Sequence, residues 1–141
     1  DAADVMDFEY MKALRCVANE VKADFWLMGE VIHGNYSMWA SDNKLHSVTN
    51  YELHKALYSG HNDHNYFEIA HNVKRMIDNC GILKLYTFVD NHDVSRIASK
   101  LNNKLLTQAL RQSFPTANNI GVQTCNRTVG GIIGIVDKNH I

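Results

Sequence analysis

Apolar side chains recur every three to four positions from Phe8 through Met11, Leu14, Val17 or Ala18 to Val21, so residues 7–22 read as an amphipathic helix with Asp4 or Asp7 placed to cap it. Phe25, Trp26, Leu27 and Met28 follow without a polar interruption, the pattern of a strand covered on both faces of a parallel sheet. After a looser stretch, Ser47-Val48-Thr49 predicts a short strand, and residues 52–58 a helix that stops at Gly60. A second helix is predicted over residues 66–79, with Asn65 and Glu68 as its capping pair and Gly81 as its stop; Tyr66, Ile69, Val73, Met76 or Ile77, and Cys80 line one face. Residues 83–89 form a further apolar strand, broken only by Lys84 and Thr87, and Val94, Ile97, Ala98 and Leu101 give another helical stripe. Beyond Lys104 the pattern decays, and the apolar run at 132–136 reads equally as a strand or a sticky end.

Helix and strand therefore alternate, which points to an α/β fold of parallel strands joined by right-handed crossovers. In such folds chemistry collects where strands end. Glu30 closes one apolar strand and Asp93 lies in the polar burst "DNHD" that closes another, while Asp1 precedes the first helix. The three acids are spaced by about one and two βα units of roughly 30 residues each, which places them on one rim.

Composition narrows the partners. The 141 residues carry 14 basic and 15 acidic side chains, a formal net charge of -1, so no field recruits nucleic acid or an anionic membrane. No apolar run is long enough to span a bilayer and the first residues have no signal-peptide pattern, so a cytoplasmic location is expected; the chain opens at Asp1 rather than Met, so the absence of a signal from these residues carries little weight. Cys16, Cys80 and Cys125 match no metal-site spacing and read as free thiols.

Paired carboxylates on a strand-end rim suit retaining glycoside hydrolysis, which needs a carboxylate nucleophile and a protonated carboxyl about 5 to 5.5 Å apart. Like charges held that close push one pKa upward, so an acid and a base coexist near neutral pH. "DAADVM" at 1–6, "GEVIHG" at 29–34 and "FVDNHD" at 88–93 resemble, in order and spacing, three segments of the alpha-amylase family of glycoside hydrolases; "LHSVTNYELHKALYSGHNDHNYFEIAH" between them looks like the catalytic-domain sequence of bacterial members.

The resemblance implies a partial (β/α)8 TIM barrel, from the end of the fourth strand through the seventh strand and its following helix, over residues 1–104, with 105–141 a tail unlike the family. It implies that Asp1 is the nucleophile, Glu30 the general acid/base and Asp93 the transition-state stabiliser, with His92 contacting a sugar hydroxyl and Asn91 assisting. The substrates implied are α-glucans, from starch-like polysaccharides to maltooligosaccharides. Asp4 and Val5 stand where many starch-hydrolysing members carry lysine and histidine, so short chains are as well suited as long ones. No metal or other cofactor is expected from this chain; the segments that bind calcium in many family members fall largely outside it.

The arginine that the family places two residues before the nucleophile, the first four strands and the eighth are not in the 141 residues, a pattern that a frameshift or a mispredicted gene end would produce. Three or four strands cut from a barrel expose unpaired edges, so self-association and no turnover by this chain alone are expected. The rival reading is a non-catalytic glucan-binding remnant or a truncated gene product. Several other residues read structurally: His61, His64 and His71 as solvated or rim histidines, Tyr36 and Trp39 as local packing or sugar-stacking aromatics, and Glu30 and Asp93 each as a possible helix cap. Asn126-Arg127-Thr128 fits a glycosylation sequon, a pattern too common to carry weight.

Overall fold

The computed structural model describes residues 2–80 and 84–113. Asp1, Gly81, Leu83, Cys125, the sequon at 126–128 and the apolar run at 132–136 lie outside them. Helix α1 (Phe8–Val21) starts where Asp7 accepts hydrogen bonds from the amides of Glu9 and Tyr10, so of the two predicted caps it is Asp7 that serves. Its apolar stripe seats Met11 and Ala18 in the core, whereas Val17 and Val21 face solvent.

Three strands follow, β1 (Met28–Gly29), β2 (Ser47–Thr49) and β3 (Lys84–Tyr86), in the order β1-β2-β3 and all parallel. The β1–β2 connection carries only a 3-10 turn at Tyr36–Met38, whereas β2 and β3 are joined by α2 (Tyr51–Asn62) and α3 (Tyr66–Cys80). A short α4 (Ile97–Lys100) and then α5 (Lys104–Ser113) close the described chain.

The first predicted strand is shorter and wetter than its residues suggest. The Phe25 amide closes a turn onto the Lys22 carbonyl at 2.9 Å, and the Leu27 amide donates to Nδ1 of His46 instead of a strand carbonyl. Pairing therefore begins only at Met28, and with β1 bonded on one side alone Phe25 and Met28 remain 44% and 43% exposed.

Gly60 does not stop α2, which runs through it to Asn62. A Cβ at Gly60 would lie 2.8 Å from Ile69 Cγ1 and 3.1 Å from the Asn65 carbonyl, so glycine is there to let α3 approach. The buried face of α2 is Leu53, Ala56, Leu57, Gly60 and His61, spaced three and four apart, and α3 answers with Ile69, Val73 and Met76.

The region after Lys104 is helical to Ser113, against the expected decay of pattern. Asn103 caps this helix by accepting from the amides of Leu105 and Leu106, and Thr107 and Leu110 are buried beneath it.

Candidate active site

The sheet register decides which side chains can meet. Met28 is level with Ser47 and Ser47 with Lys84, so the strands end together and Glu30 emerges beside Thr49 and Tyr86. The Thr49 hydroxyl locks this rim: it accepts from the Val31 amide at 2.9 Å and donates to the Val31 carbonyl at 3.1 Å.

Gly29 precedes the acid for a steric reason. A Cβ there would fall 2.3 Å from Leu45 Cδ1 and 2.7 Å from Ala3 Cβ, so only glycine lets the first residues lie against the strand end. The Ala3 amide then donates to the Glu30 carbonyl at 2.8 Å, and the Ala2 amide to its carboxylate. Ala2 adopts φ 48 and ψ 46, a left-handed conformation that costs a non-glycine residue roughly 1–2 kcal/mol. That strain sits next to a candidate catalytic group, where such outliers tend to cluster.

Beside Glu30, at the end of β1, the structure assembles four groups from the ends of the other two strands. The Tyr51 hydroxyl, at the first position of α2, donates to Glu30 Oε1 at 2.7 Å and accepts from Asn91 Nδ2 at 3.0 Å. Asp93 reaches the Glu30 carboxyl, and His92 Nε2 lies 3.0 Å from Asp93 Oδ2. His92 and Asp93 are open to solvent, with side chains 81% and 53% exposed.

Donation from Tyr51 holds the Glu30 carboxyl below its ordinary value; partial burial opposes this, and the Ala2 amide and the Asp93 contact add to it. Tyr51 moves the other way. Burial, reinforced by the Glu30 carboxylate, pushes its phenol up to about 12, so it remains a proton donor at all working pH values.

The loop carrying Asn91, His92 and Asp93 is organised from beneath by Asp90, which is 2% exposed. Asp90 accepts from the Ile97 amide at 3.2 Å and from Arg96 Nη1 at 3.3 Å. Asn91 Oδ1 accepts from the amides of Asp93 and Val94 at 2.9 and 3.1 Å. The helix-cap readings of Glu30 and Asp93 therefore fail: the next helical turn, Tyr36–Met38, is capped by Asn35, and the turn before α4 is bonded by Asn91 and Asp90. Asn91 reaches Glu30 through Tyr51, Asp93 lies against Glu30, His92 touches Asp93, and Asp1 lies outside the described residues.

The remaining sequence candidates are sorted by burial. His61 is only 6% exposed, against the solvated reading; its imidazole packs edge-on against Tyr66 with ring centres 5.4 Å apart. His64 and His71 are exposed. Tyr36 and Trp39 are core residues, 5% and 9% exposed, with the Tyr36 hydroxyl accepting from the Glu52 amide at 3.2 Å.

Tyr51 and Asp90 were not singled out from sequence, although Tyr51 stands just past a strand end as Glu30 does, and Asp90 opens the polar burst containing Asp93. A cavity of about 340 Å³ between Asn35, Asn50, Asn72 and the Arg75–Glu52 ion pair shares none of the acid-cluster residues. Among the described residues no group of three or more His, Cys, Asp or Glu is placed to hold a metal, and no helix is long and apolar enough to cross a membrane.

Parallel strands with carboxylates gathered at their C-terminal ends are the arrangement of an α/β barrel rim. The family described as alpha amylase, catalytic domain, matches residues 3–128, and the chain belongs to that family of glycoside hydrolases. The match continues through α5 and beyond.

Solved structures share the fold. An alpha-amylase from H. orenii superposes with a TM-score of 0.62 at 21% identity, over 72% of this chain and 22% of its own. The cyclic alpha-maltosyl-(1-->6)-maltose hydrolase from Arthrobacter globiformis, free of ligand, gives a TM-score of 0.70 at 13% identity, over 100% of this chain and 39% of its own. Its complex with maltose gives 0.70 at 12% identity, over 97% and 38%. The chain thus spans well under half the length of these structures, and its strands are a portion of a (β/α)8 barrel. No curated relative matches in sequence.

Proposed function

We propose that within a complete barrel this chain supplies the acid/base half of a retaining glycosidase acting on α-glucosidic linkages of starch-like or maltooligosaccharide substrates. The observation that carries the reading is the Glu30–Tyr51–Asn91–Asp93 cluster, built from three different strand ends around one carboxyl. The maltose complex of the Arthrobacter hydrolase supports a malto-type ligand.

In the first displacement Asp1 attacks the anomeric carbon, the glycosidic C–O bond breaks, and the Glu30 proton passes to the leaving oxygen. In the second, water gives a proton to the Glu30 carboxylate as its oxygen displaces Asp1 from the sugar. Asp93 faces the positive charge that develops on the ring in the transition state of each step. His92, exposed at the rim beside Asp93, is available to a sugar hydroxyl.

The unliganded geometry keeps Glu30 ionised, the form that the second step uses. The first step needs the acid. A sugar seated over the cluster excludes water from two adjoining carboxyls, and like charges deprived of water favour protonation of one of them.

The test joins the chain to the remaining strands of a (β/α)8 domain and follows maltotetraose by NMR. The expected product has retained anomeric configuration, and Glu30→Gln lowers kcat by about 10² to 10⁴-fold. Inversion, or a folded domain equally active with glutamine, would overturn the assignment.

A further inference from the structure

We infer that Tyr51 is the positioning residue for the acid/base carboxyl: its hydroxyl, anchored by Asn91, fixes Glu30 through Oε1 and holds the carboxyl in one orientation for proton transfer. The inference rests on the glycosidase reading for its catalytic meaning, but the hydrogen-bond chain stands without it.

Three independent contacts fix the phenol. Its oxygen is 2.7 Å from Glu30 Oε1 and 3.0 Å from Asn91 Nδ2. Its ring meets the buried Phe88 edge-on, with centres 4.9 Å apart and planes at 80°. Phe88 is itself held flat against His54, with centres 5.2 Å apart at 17°. Finally, Tyr51 is the first residue of α2, whose cap Asn50 is 1% exposed and accepts from the Leu53 amide at 3.2 Å. The hydroxyl is therefore set by a helix start, a ring contact and an amide, and has little freedom to swing away.

Chemistry follows from the direction of the bond. Asn91 Nδ2 can only donate, so the Tyr51 oxygen accepts from it and its own proton points to Glu30. A carboxyl oxygen already receiving an O–H is the weaker base of its pair, so the bond disfavours protonation at Oε1. Tyr51 can keep donating to Oε1 when Glu30 is neutral, because Oε1 is then the carbonyl oxygen. The same bond thus orients the acid in both protonation states while favouring the carboxylate. The carboxyl is therefore held in one place for the acid step and the base step alike.

Carbon-13 carboxyl NMR of the chain tests this without turnover, with the Glu30 resonance assigned by its loss in Glu30→Gln. Tyr51→Phe is expected to raise the Glu30 titration midpoint by about one pH unit; an unchanged midpoint overturns the inference. Should Tyr51→Phe fail to fold, Glu30→Gln decides instead. Removing the carboxylate is expected to bring the Tyr51 phenol titration down from about 12, and no movement overturns the inference. In the complete barrel, Tyr51→Phe is expected to move the basic limb of kcat/KM to higher pH, whereas an equal loss at every pH marks a packing role and overturns it. Absence of any glucan hydrolysis would refute the glycosidase reading and leave the two titrations to stand or fall alone.

Discussion

Two histidines are held neutral by the packing of the helices. His54 and His61 are 4% and 6% exposed, and His54 Nδ1 and both ring nitrogens of His61 find no hydrogen-bond partner among the described residues. Burial pushes both below the ordinary 6.5, helped by Lys100 at His54 and by His64 at His61. The unfolded chain binds these protons more readily than the folded one, so their contribution to stability is complete above about 6.5 and is lost as pH falls. Glu30 acts in a separate window: its lowered pKa adds stability above the unfolded value of 4.5 that is lost on further acidification. The urea midpoint is therefore expected to drop between pH 7.5 and 5.5, and His61→Leu to flatten that drop; an equal slope in the variant would refute the burial argument. The sequence pointed to solvent for His61 because the helix was ended at Gly60. Extending the stripe from Leu53 by three and four places reaches His61 directly. By contrast Glu30 and Asp93 were legible, since an acid closing an apolar strand has few structural reasons to be there.

Among the elements, α1 and α3 were readable because their stripes are long and their starts carry cap residues, whereas β1 and α4 are set by contacts that no local pattern encodes. Only Met28–Gly29 pairs, since Lys22 and His46 capture the amides before it. Asp90 and Asn91 delay α4 to Ile97 by bonding the turn that precedes it. Helix α5 was missed because its buried face holds Thr107 beside Leu110, a polar residue where the stripe calls for an apolar one. Two substitutions test the element-scale account by urea denaturation. Asp7→Ala removes the acceptor of two α1 amides and is expected to cost about 1 kcal/mol. Gly60→Ala sets the gain of alanine in a helix, about 1 kcal/mol, against overpacking of about 1–3 kcal/mol. A net loss is expected, and a smaller one in an Ile69→Ala background, which removes the Cγ1 that the new methyl would meet; stabilisation by Gly60→Ala would show that α2 and α3 have room to part.

At the scale of the whole molecule, the sheet of the described strands is unclosed. With the order β1-β2-β3, β1 and β3 each present one unpaired side among the described strands, and Phe25 and Met28 stand exposed beside β1. Such edges pair with other chains. Sedimentation velocity of the 141 residues is expected to show concentration-dependent association, reduced by Phe25→Lys; a monomer at all concentrations would contradict this. The same openness leaves the acid cluster without the opposing rim of a barrel, so no maltooligosaccharide turnover is expected from this chain by itself, and measurable product would refute that. The central claim is that residues 1, 30 and 93 converge on one sugar ring in the complete domain. Trapping with a fluoroglycosyl fluoride and peptide mass spectrometry addresses it most directly. One covalent fluoroglucosyl residue is expected on the peptide bearing Asp1, its formation slowed when Asp93→Asn is introduced; label on a different carboxylate of an active domain would contradict the convergence.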